Sequence, residues 1–389
     1  MADSFSTLLH GVRIVDCSRN IAGPVATMLT AEMGADVVKV EPPGGDEMRR
    51  WPPFVDGESV YFASCNRGKR SIVIDLKADE GRGLLRRLLA GADVMVENYR
   101  PGTLERMGLG WTELHARHPR LIWLSVSGYG RSGPRASAPA YDSMMQAYAG
   151  IMGVTGESGR PPVRCGGSPI DIATSYLAWG SIVTGIQARA RSGRGALLEV
   201  SLMESALGFM HAYLQAELCG LQLPGRTGSE TIGMYPMGAF ETLDGEYCLV
   251  QVSNEYQWER FCALLGAQEL AADARFASNP LRVKNRDALR PLLQERLRAR
   301  TAREWEKLLV EASVPVSHVR GLADVAADEQ VRARNMIKPQ VLANGREVPT
   351  WGVPVKMNGQ LESRTLKVPG LDQHREEILG ELGAGKRDG

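Results

Sequence analysis

The chain has 389 residues, of which 43% are hydrophobic and 23% charged, with 46 Lys plus Arg against 45 Asp plus Glu and a formal net charge of +1. At roughly 150 residues per domain this length predicts two or three domains, and the apolar content is enough for a core, which excludes a wholly disordered chain. The near-neutral balance without a long basic run makes the chain a poor candidate for general nucleic-acid binding, and no apolar run approaches the ~18 residues of a membrane span.

The first half alternates strand-like and helix-like segments. Val12 to Asp16 reads as a strand, and Pro24 to Met33 as a helix with Gly34 placed to stop it. Asp36 to Val40, Ser71 to Leu76, Asp93 to Val96 and Leu121 to Val126 read as further strands. Asp79 to Ala90 is an amphipathic helix, leucines on one side and arginines on the other. This βαβ alternation predicts an α/β fold: a mostly parallel, Rossmann-like sheet with helices on both faces. Tyr141 to Met152 and Asp171 to Ala188 are apolar and rich in small residues, and read as interior helices. Leu197 to Ser201 reads as a strand and Leu202 to Leu218 as a helix.

The segment 220–238 is rich in Gly, Pro, Ser and Thr and reads as a linker or mobile loop. Phe240 to Val252 then forms a hairpin pattern around Asp244-Gly245. Charged amphipathic helices follow near Gln257 to Leu265, Arg286 to Arg298 and Ala302 to Ala312. The pattern predicts a large domain over 1–224, a smaller α+β domain over 225–330, and a tail over 331–389 that returns to the first.

Standard catalytic motifs are missing. The loop Cys17-Ser18-Arg19-Asn20-Ile21-Ala22-Gly23-Pro24 after the first strand is not G-x-G-x-x-G, which disfavours a dinucleotide site. There is no P-loop, H-E-x-x-H or G-x-S-x-G. The six cysteines form no C-x-x-C pair and no spaced set with histidine, so neither a metal site nor a disulfide framework is expected. Reduced thiols in a cytoplasmic protein are the simplest reading, and the N-terminus Met-Ala-Asp-Ser-Phe-Ser lacks the pattern of a signal peptide.

The carboxylates are more informative. Asp171 ends Arg164-Cys165-Gly166-Gly167-Ser168-Pro169-Ile170-Asp171, just before an apolar helix. It reads either as a helix cap or as a nucleophile, since a carboxylate with an ordinary pKa near 3.9 is ionised at neutral pH without a general base. Asp142 after Tyr141 also reads as a capping residue. Lys39, Arg49, Arg50, Lys69, Arg70, Lys77, Arg100 and Arg106 gather near ends of predicted strands, and are either a solvated face or a pocket for a phosphate-bearing ligand.

Taken in order, several segments resemble the class III coenzyme A transferases, the formyl-CoA transferase and carnitine CoA-transferase (CaiB/BaiF-like) family. The carriers are Ala22-Gly23-Pro24, Gly34 to Glu41, Asn66 to Ser71, Val96 to Gly102, Ser127 to Gly130, Ala140-Tyr141-Asp142 and the stretch ending at Asp171. The resemblance runs over nearly the whole chain. It implies a homodimer of interlocked rings, no permanently bound cofactor, and acyl-CoA and a carboxylic acid as substrates. It implies Asp171 as the nucleophile, forming an aspartyl anhydride and then an aspartyl-CoA thioester.

The family pattern places CoA contacts at Ala22, Ile74, Lys77, Asn98, Tyr99 and Arg106, to which Arg100 is added for its position in the Asn-Tyr-Arg-Pro-Gly turn. Ile21, Tyr141 and Asp142 are candidates for the substrate pocket, with Met144-Met145 beside them. Formyl-CoA transferase carries Arg and Lys where this chain has Pro42 and Pro139, and Gln where it has Ile21, which argues against oxalate as acceptor. Other features look like members that use succinyl-CoA and small dicarboxylic acids. The rival on the same fold is an α-methylacyl-CoA racemase, whose histidine falls at Tyr141; a tyrosine with a pKa near 10 is a poor proton carrier at neutral pH. A CoA-binding protein without transferase activity is the other alternative, against which the intact Asp171 argues.

Overall fold

A computed structural model describes residues 4–361 and 364–384. The chain divides into two compact units. The first comprises residues up to Ala149, Gly166–Phe209 and Ala327 onward; the second comprises Gly150–Cys165 and Met210–Ala326. The segments 150–165 and 210–224 therefore group with the second unit rather than with the large domain expected over 1–224.

The first unit is built on a six-stranded, all-parallel sheet. Its strands are β1 (Arg13–Asp16), β2 (Asp36–Glu41), β3 (Arg70–Val73), β4 (Val94–Glu97), β5 (Ile122–Ser127) and β6 (Leu197–Ser201). They lie in the spatial order β3-β2-β1-β4-β5-β6. β4 and β5 are buried at every position, as near-continuous apolar runs covered on both faces should be. The order reverses between β1 and β4: the chain leaves β1 toward β2 on one side and leaves β4 toward β5 on the other. Such a switch point opens a crevice at the carboxyl ends of the strands.

The principal helices of this unit are α1 (Ala22–Glu32), α2 (Asp79–Ala90), α3 (Asp142–Tyr148), α4 (Pro169–Ser192) and α5 (Leu202–Phe209). α1 is buried along its whole length and packs on α4. Gly23 is required where α1 starts, because a Cβ there would overlap the Ser18 side chain. α4 buries one stripe, Ile170, Thr174, Ala178, Ile182 and Gly185. Gly185 lets it approach the sheet: a Cβ would sit 2.9 Å from Leu198 and 3.0 Å from Ile122. The opposite face, with Tyr176 and Leu177, is exposed, so α4 is not the interior helix expected from its composition.

Two further expectations fail for local reasons. The helix expected over 141–152 breaks after Tyr148, because Gly150 takes a left-handed φ of 86°, and its Tyr141, Met144 and Tyr148 are exposed. The helix expected over 202–218 is interrupted at Met210, and α6 (His211–Leu218) follows.

The tail returns to the first unit through buried and surface ion pairs. Lys338 reaches Glu32 at 2.9 Å, beside Arg67 at 2.6 Å from the same carboxylate. Arg70 contacts Glu377 and Glu381 at 2.9 and 2.6 Å.

The second unit carries an antiparallel sheet of β7 (Met237–Glu241), β8 (Tyr247–Gln251) and β9 (Val316–His318), with β8 central. The Asp244-Gly245 turn joins β7 to β8 as expected, with Gly245 at φ 75°. Helices α7 (Glu255–Leu264), α8 (Arg286–Leu297) and α9 (Ala302–Glu311) cover it around Trp258, Phe261 and Trp305. The end of the expected mobile loop is fixed here. Tyr235 is fully buried, its N–H donates to Asn279 Oδ1 at 3.0 Å, and its carbonyl accepts from Arg282 Nε at 2.9 Å.

Candidate active site

The carboxyl edge of the large sheet collects most of the candidate residues. Of the eight basic candidates, four are neutralised within the protein. Lys39 pairs with Asp46 at 2.9 Å, Arg49 with Glu41 at 2.6 Å, Lys69 with Asp16 at 2.8 Å and Arg70 with Asp36 at 2.6 Å. Lys39, Lys69, Asp16 and Asp46 are completely buried. They are neither a solvated face nor a phosphate pocket; they form an internal charge network. Burial works against the charged form of Asp16, and the Lys69 and Lys39 ammoniums outweigh it, holding its carboxyl far below the usual range. Burial pulls Lys69 down to about 8, only partly offset by Asp16.

This network holds the loop between β1 and α1. Asp16 Oδ1 accepts from Ser18 N at 2.9 Å, Lys39 Nζ donates to Ser18 O at 3.0 Å, and Lys69 Nζ donates to Pro24 O at 2.8 Å. The loop presents Ile21 and Ala22, both buried, and Asn20, which takes a left-handed φ of 65° and leaves its Oδ1 buried without a hydrogen-bond partner. Ile74 is also buried. Lys77, Arg100 and Arg106 are exposed, Lys77 after β3 and the two arginines after β4. Those strands stand three steps apart, roughly 14 Å, so the cations do not cluster on one small anion but spread along the edge.

Asn98 and Tyr99 follow β4 directly. The Asn98 amide is committed to the neighbouring loop: its Oδ1 accepts from Arg19 N at 2.9 Å and its Nδ2 donates to Arg19 O at 2.8 Å. The Arg19 guanidinium lies over the Tyr99 ring, 5.7 Å from its centroid. Tyr99 N donates to the buried Glu97 carboxylate at 2.8 Å, whose pKa burial raises. Arg19 and Glu97 were not among the sequence candidates as individual site residues. Only their adjacency to strand ends could have marked them.

Asp171 and Asp142 meet at the start of α4. Asp142, buried at the head of α3, accepts with Oδ2 from Ile170 N at 2.7 Å and Asp171 N at 3.1 Å. Its Oδ1 accepts from Gln146 Nε2 at 2.5 Å. The N-terminal N–H groups of α4 are thus capped by a carboxylate from another helix. Asp171 sits in the third helical position and does not act as the cap. Its carboxylate makes no hydrogen bond or ion pair among the described residues. Burial, with the Asp142 charge second, pushes its pKa up to about 7, so it is only half ionised at neutral pH rather than fully ionised as expected. A partly buried carboxylate with free oxygen lone pairs and raised basicity can act as a nucleophile or a proton carrier. Tyr141, next to Asp142, is exposed. Among the described residues no group of three or more His, Cys, Asp or Glu is placed to hold a metal ion, and no helix is long and apolar enough to cross a membrane.

The site thus combines a doubly wound sheet, exposed cations spread along its carboxyl edge and a desolvated aspartate at a helix start. Comparison with known proteins makes this specific. The family model described as CoA-transferase family III matches residues 9–375, and the chain belongs to that family as a class III CoA-transferase. It is 35% identical over 376 residues to the succinyl-CoA:glutarate CoA-transferase of Mus musculus, covering 96% of this chain and 86% of that one. It is 36% identical over 377 residues to the acetyl-CoA:oxalate CoA-transferase of Acetobacter aceti, covering 96% and 95%. The crystal structure of a CAIB/BAIF family protein from Brucella suis superposes with a TM-score of 0.85 at 37% identity, covering 97% of this chain and 99% of that one.

Proposed function

We propose that the protein moves CoA from succinyl-CoA to a small dicarboxylic acid, with Asp171 as the covalent nucleophile. The observation that carries the mechanism is the Asp171 carboxylate: partly buried, without a hydrogen-bond donor among the described residues, and raised to about 7. Ionised, such a group is a stronger nucleophile than a solvated aspartate. The choice of substrates is supported by the relatives named for succinyl-CoA and glutarate or mesaconate. A relative named for oxalate stands at similar identity, and Ile21 in place of glutamine weighs against that acceptor here.

In the first step an Asp171 oxygen attacks the donor thioester carbonyl. The C–S bond breaks, CoA leaves as thiolate, and an aspartyl–acyl anhydride remains. The thiolate then attacks the aspartyl carbonyl, releasing the donor acid and forming an aspartyl-CoA thioester. An acceptor carboxylate attacks that thioester, giving a second anhydride and thiolate. Attack of the thiolate on the acceptor's carbonyl yields the new acyl-CoA and restores Asp171. Each bond broken is replaced by one of similar activation, so no phosphoanhydride is consumed. Water must be kept from the anhydrides, or they hydrolyse.

Ala22, Ile74, Asn98 and Tyr99 line the CoA path in this reading, and Lys77, Arg100 and Arg106 balance its phosphates. Ile21, Tyr141 and Asp142 belong to the acyl pocket. The protein works in the cytoplasm as a homodimer of interlocked rings. α6, which buries none of its residues, and the exposed Leu214, Leu218 and Leu221 favour a second copy covering this region. In this reading the large domain is the first compact unit, completed by the tail, and the small domain is the second.

The test is incubation with succinyl-CoA, acetyl-CoA or formyl-CoA against mono- and dicarboxylic acids, read by mass spectrometry beside Asp171→Ala. A new acyl-CoA made only by the wild type, and a hydroxylamine-sensitive adduct on the peptide carrying Asp171, are expected. No exchange with any pair, together with α-deuterium uptake into 2-methylacyl-CoA from heavy water, would overturn the transferase in favour of the racemase. CoA binding without turnover would leave only a binding protein.

A further inference from the structure

We propose that Arg19 binds a phosphate group of the nucleotide end of CoA, and that Asn98 is a positioning residue which presents Arg19 rather than a direct ligand. The inference rests on the CoA-transferase reading above and adds a residue to it.

The placement comes first. Arg19 lies in the loop after β1, and Asn98 and Tyr99 in the loop after β4. These two strands are neighbours at the point where the sheet's connections reverse direction, where an open α/β sheet leaves a crevice for its ligand. The two loops are tied across that crevice by one side chain. With one acceptor and one donor spent on the Arg19 carbonyl and N–H, the Asn98 amide imitates a strand partner and fixes the Arg19 backbone.

The second point is charge. Lys39, Arg49 and Lys69 at this edge are neutralised by Asp46, Glu41 and Asp16. The Arg19 guanidinium makes no ion pair or hydrogen bond among the described residues, and it lies over the Tyr99 ring, 5.7 Å from the centroid. A guanidinium near an aromatic face and without a protein acceptor keeps its N–H donors available, and those donors can take a phosphate through two parallel bonds. Tyr99 is itself held: its N–H donates to Glu97, and its ring packs against the buried cluster containing Cys17 and Trp123. Arg19 is therefore an unneutralised cation beside a held aromatic ring.

The third point is what the neighbouring positions lack. Pro42 and Pro139 stand where formyl-CoA transferase carries an arginine and a lysine, so those two cations are not available for phosphate contacts here. Arg19 supplies one from a different loop. The buried, unpartnered Asn20 Oδ1 in the same loop, on a left-handed backbone, marks a segment shaped for something other than its own packing.

The test is calorimetric binding to the full-length protein of CoA, dephospho-CoA and pantetheine, with wild type, Arg19→Ala, Arg19→Lys and Asn98→Ala. Arg19→Ala weakens CoA at least tenfold and leaves pantetheine, which has no phosphate, unchanged. Arg19→Lys restores only part, because the planar fork is lost. Asn98→Ala gives part of the same loss, and adding it to Arg19→Ala costs little more. If dephospho-CoA is insensitive to Arg19→Ala, the 3′-phosphate is the partner; if it weakens in parallel with CoA, the diphosphate is. In turnover, KM for acyl-CoA rises while kcat at saturation is kept. CoA binding by Arg19→Ala equal to wild type overturns the inference alone, whereas a wild type that binds no CoA overturns the functional reading with it. An Asn98→Ala loss that adds fully to Arg19→Ala makes Asn98 an independent ligand and refutes its positioning role.

Discussion

Replacing Asp142 by asparagine separates the two things that raise the basicity of Asp171. The rise from 3.8 to about 7 is a penalty of roughly 4 kcal/mol on the charged form. Burial is the larger cause and the Asp142 charge the smaller. Asp142→Asn removes the charge but keeps an oxygen that accepts from Ile170 N and Asp171 N, so the helix start loses only about 1 kcal/mol of charge-assisted bonding. Because the Asp142 charge is the smaller cause, the acid limb of the rate profile moves down by about 1.5 pH units at most. At pH 6 only roughly a tenth of wild-type Asp171 is ionised, so the variant forms adduct faster there; at pH 8, where both are ionised, its less basic carboxylate is slower. The assay is single-turnover formation of the aspartyl thioester from acyl-CoA between pH 5 and 9, quenched and trapped with hydroxylamine. An acid limb that stays in place, or moves upward, would refute the claim that Asp142 raises Asp171 through its charge.

Three other outcomes follow from the same geometry. Lys69→Met leaves Asp16 buried without its 2.8 Å partner and lowers unfolding stability by about 3–5 kcal/mol in denaturant titration, and adding Asp16→Asn returns part of the loss; a neutral Lys69→Met would show that the network carries no charge. Gly23→Ala forces the Ser18–Ala22 loop away from α1 and raises KM for acyl-CoA, and an unchanged KM would separate that loop from CoA binding. Asp171→Asn abolishes transfer and stabilises the fold. The folded-state pKa is raised, so the native protein holds a proton between about pH 4 and 7 that the unfolded chain has lost, and wild-type stability falls as pH rises through that window. The variant's Tm gain is largest at pH 8 and closes near pH 4; a constant gap would point to packing instead.

The sheet was legible because its strands are short apolar runs set between amphipathic helices, and Asp79–Ala90 and Leu197–Ser201 fall where periodicity put them. The failures share a cause: composition reports apolarity, not direction. The apolar segments around Met144 and Leu177 looked interior, yet each turns part of its surface outward. Lys39 and Lys69 looked like phosphate ligands because their partners, Asp46 and Asp16, are brought to them only by folding. Asp171 was legible as a residue, through its motif, but its environment was not. The cap comes from Asp142, 29 positions earlier, and only the packing of α3 against α4 reveals it.

That arrangement also bears on the proposal that Asp171, at a helix start, serves as the nucleophile. The first N–H groups of a helix seek an acceptor, and a carboxylate in the first turn is the usual one. Hydrogen bonds to its charged form would lower the pKa of Asp171 and occupy the lone pairs it needs for attack. Asp142 takes those N–H groups first, with Gln146 fixing its other oxygen. The same carboxylate therefore removes donors from Asp171 and adds a repelling charge beside it, and both effects act in the direction of greater basicity. Asp142→Ala should then differ from Asp142→Asn: with no acceptor left at position 142, the freed N–H groups fall to Asp171 itself, and its acid limb drops further than loss of the charge alone can move it.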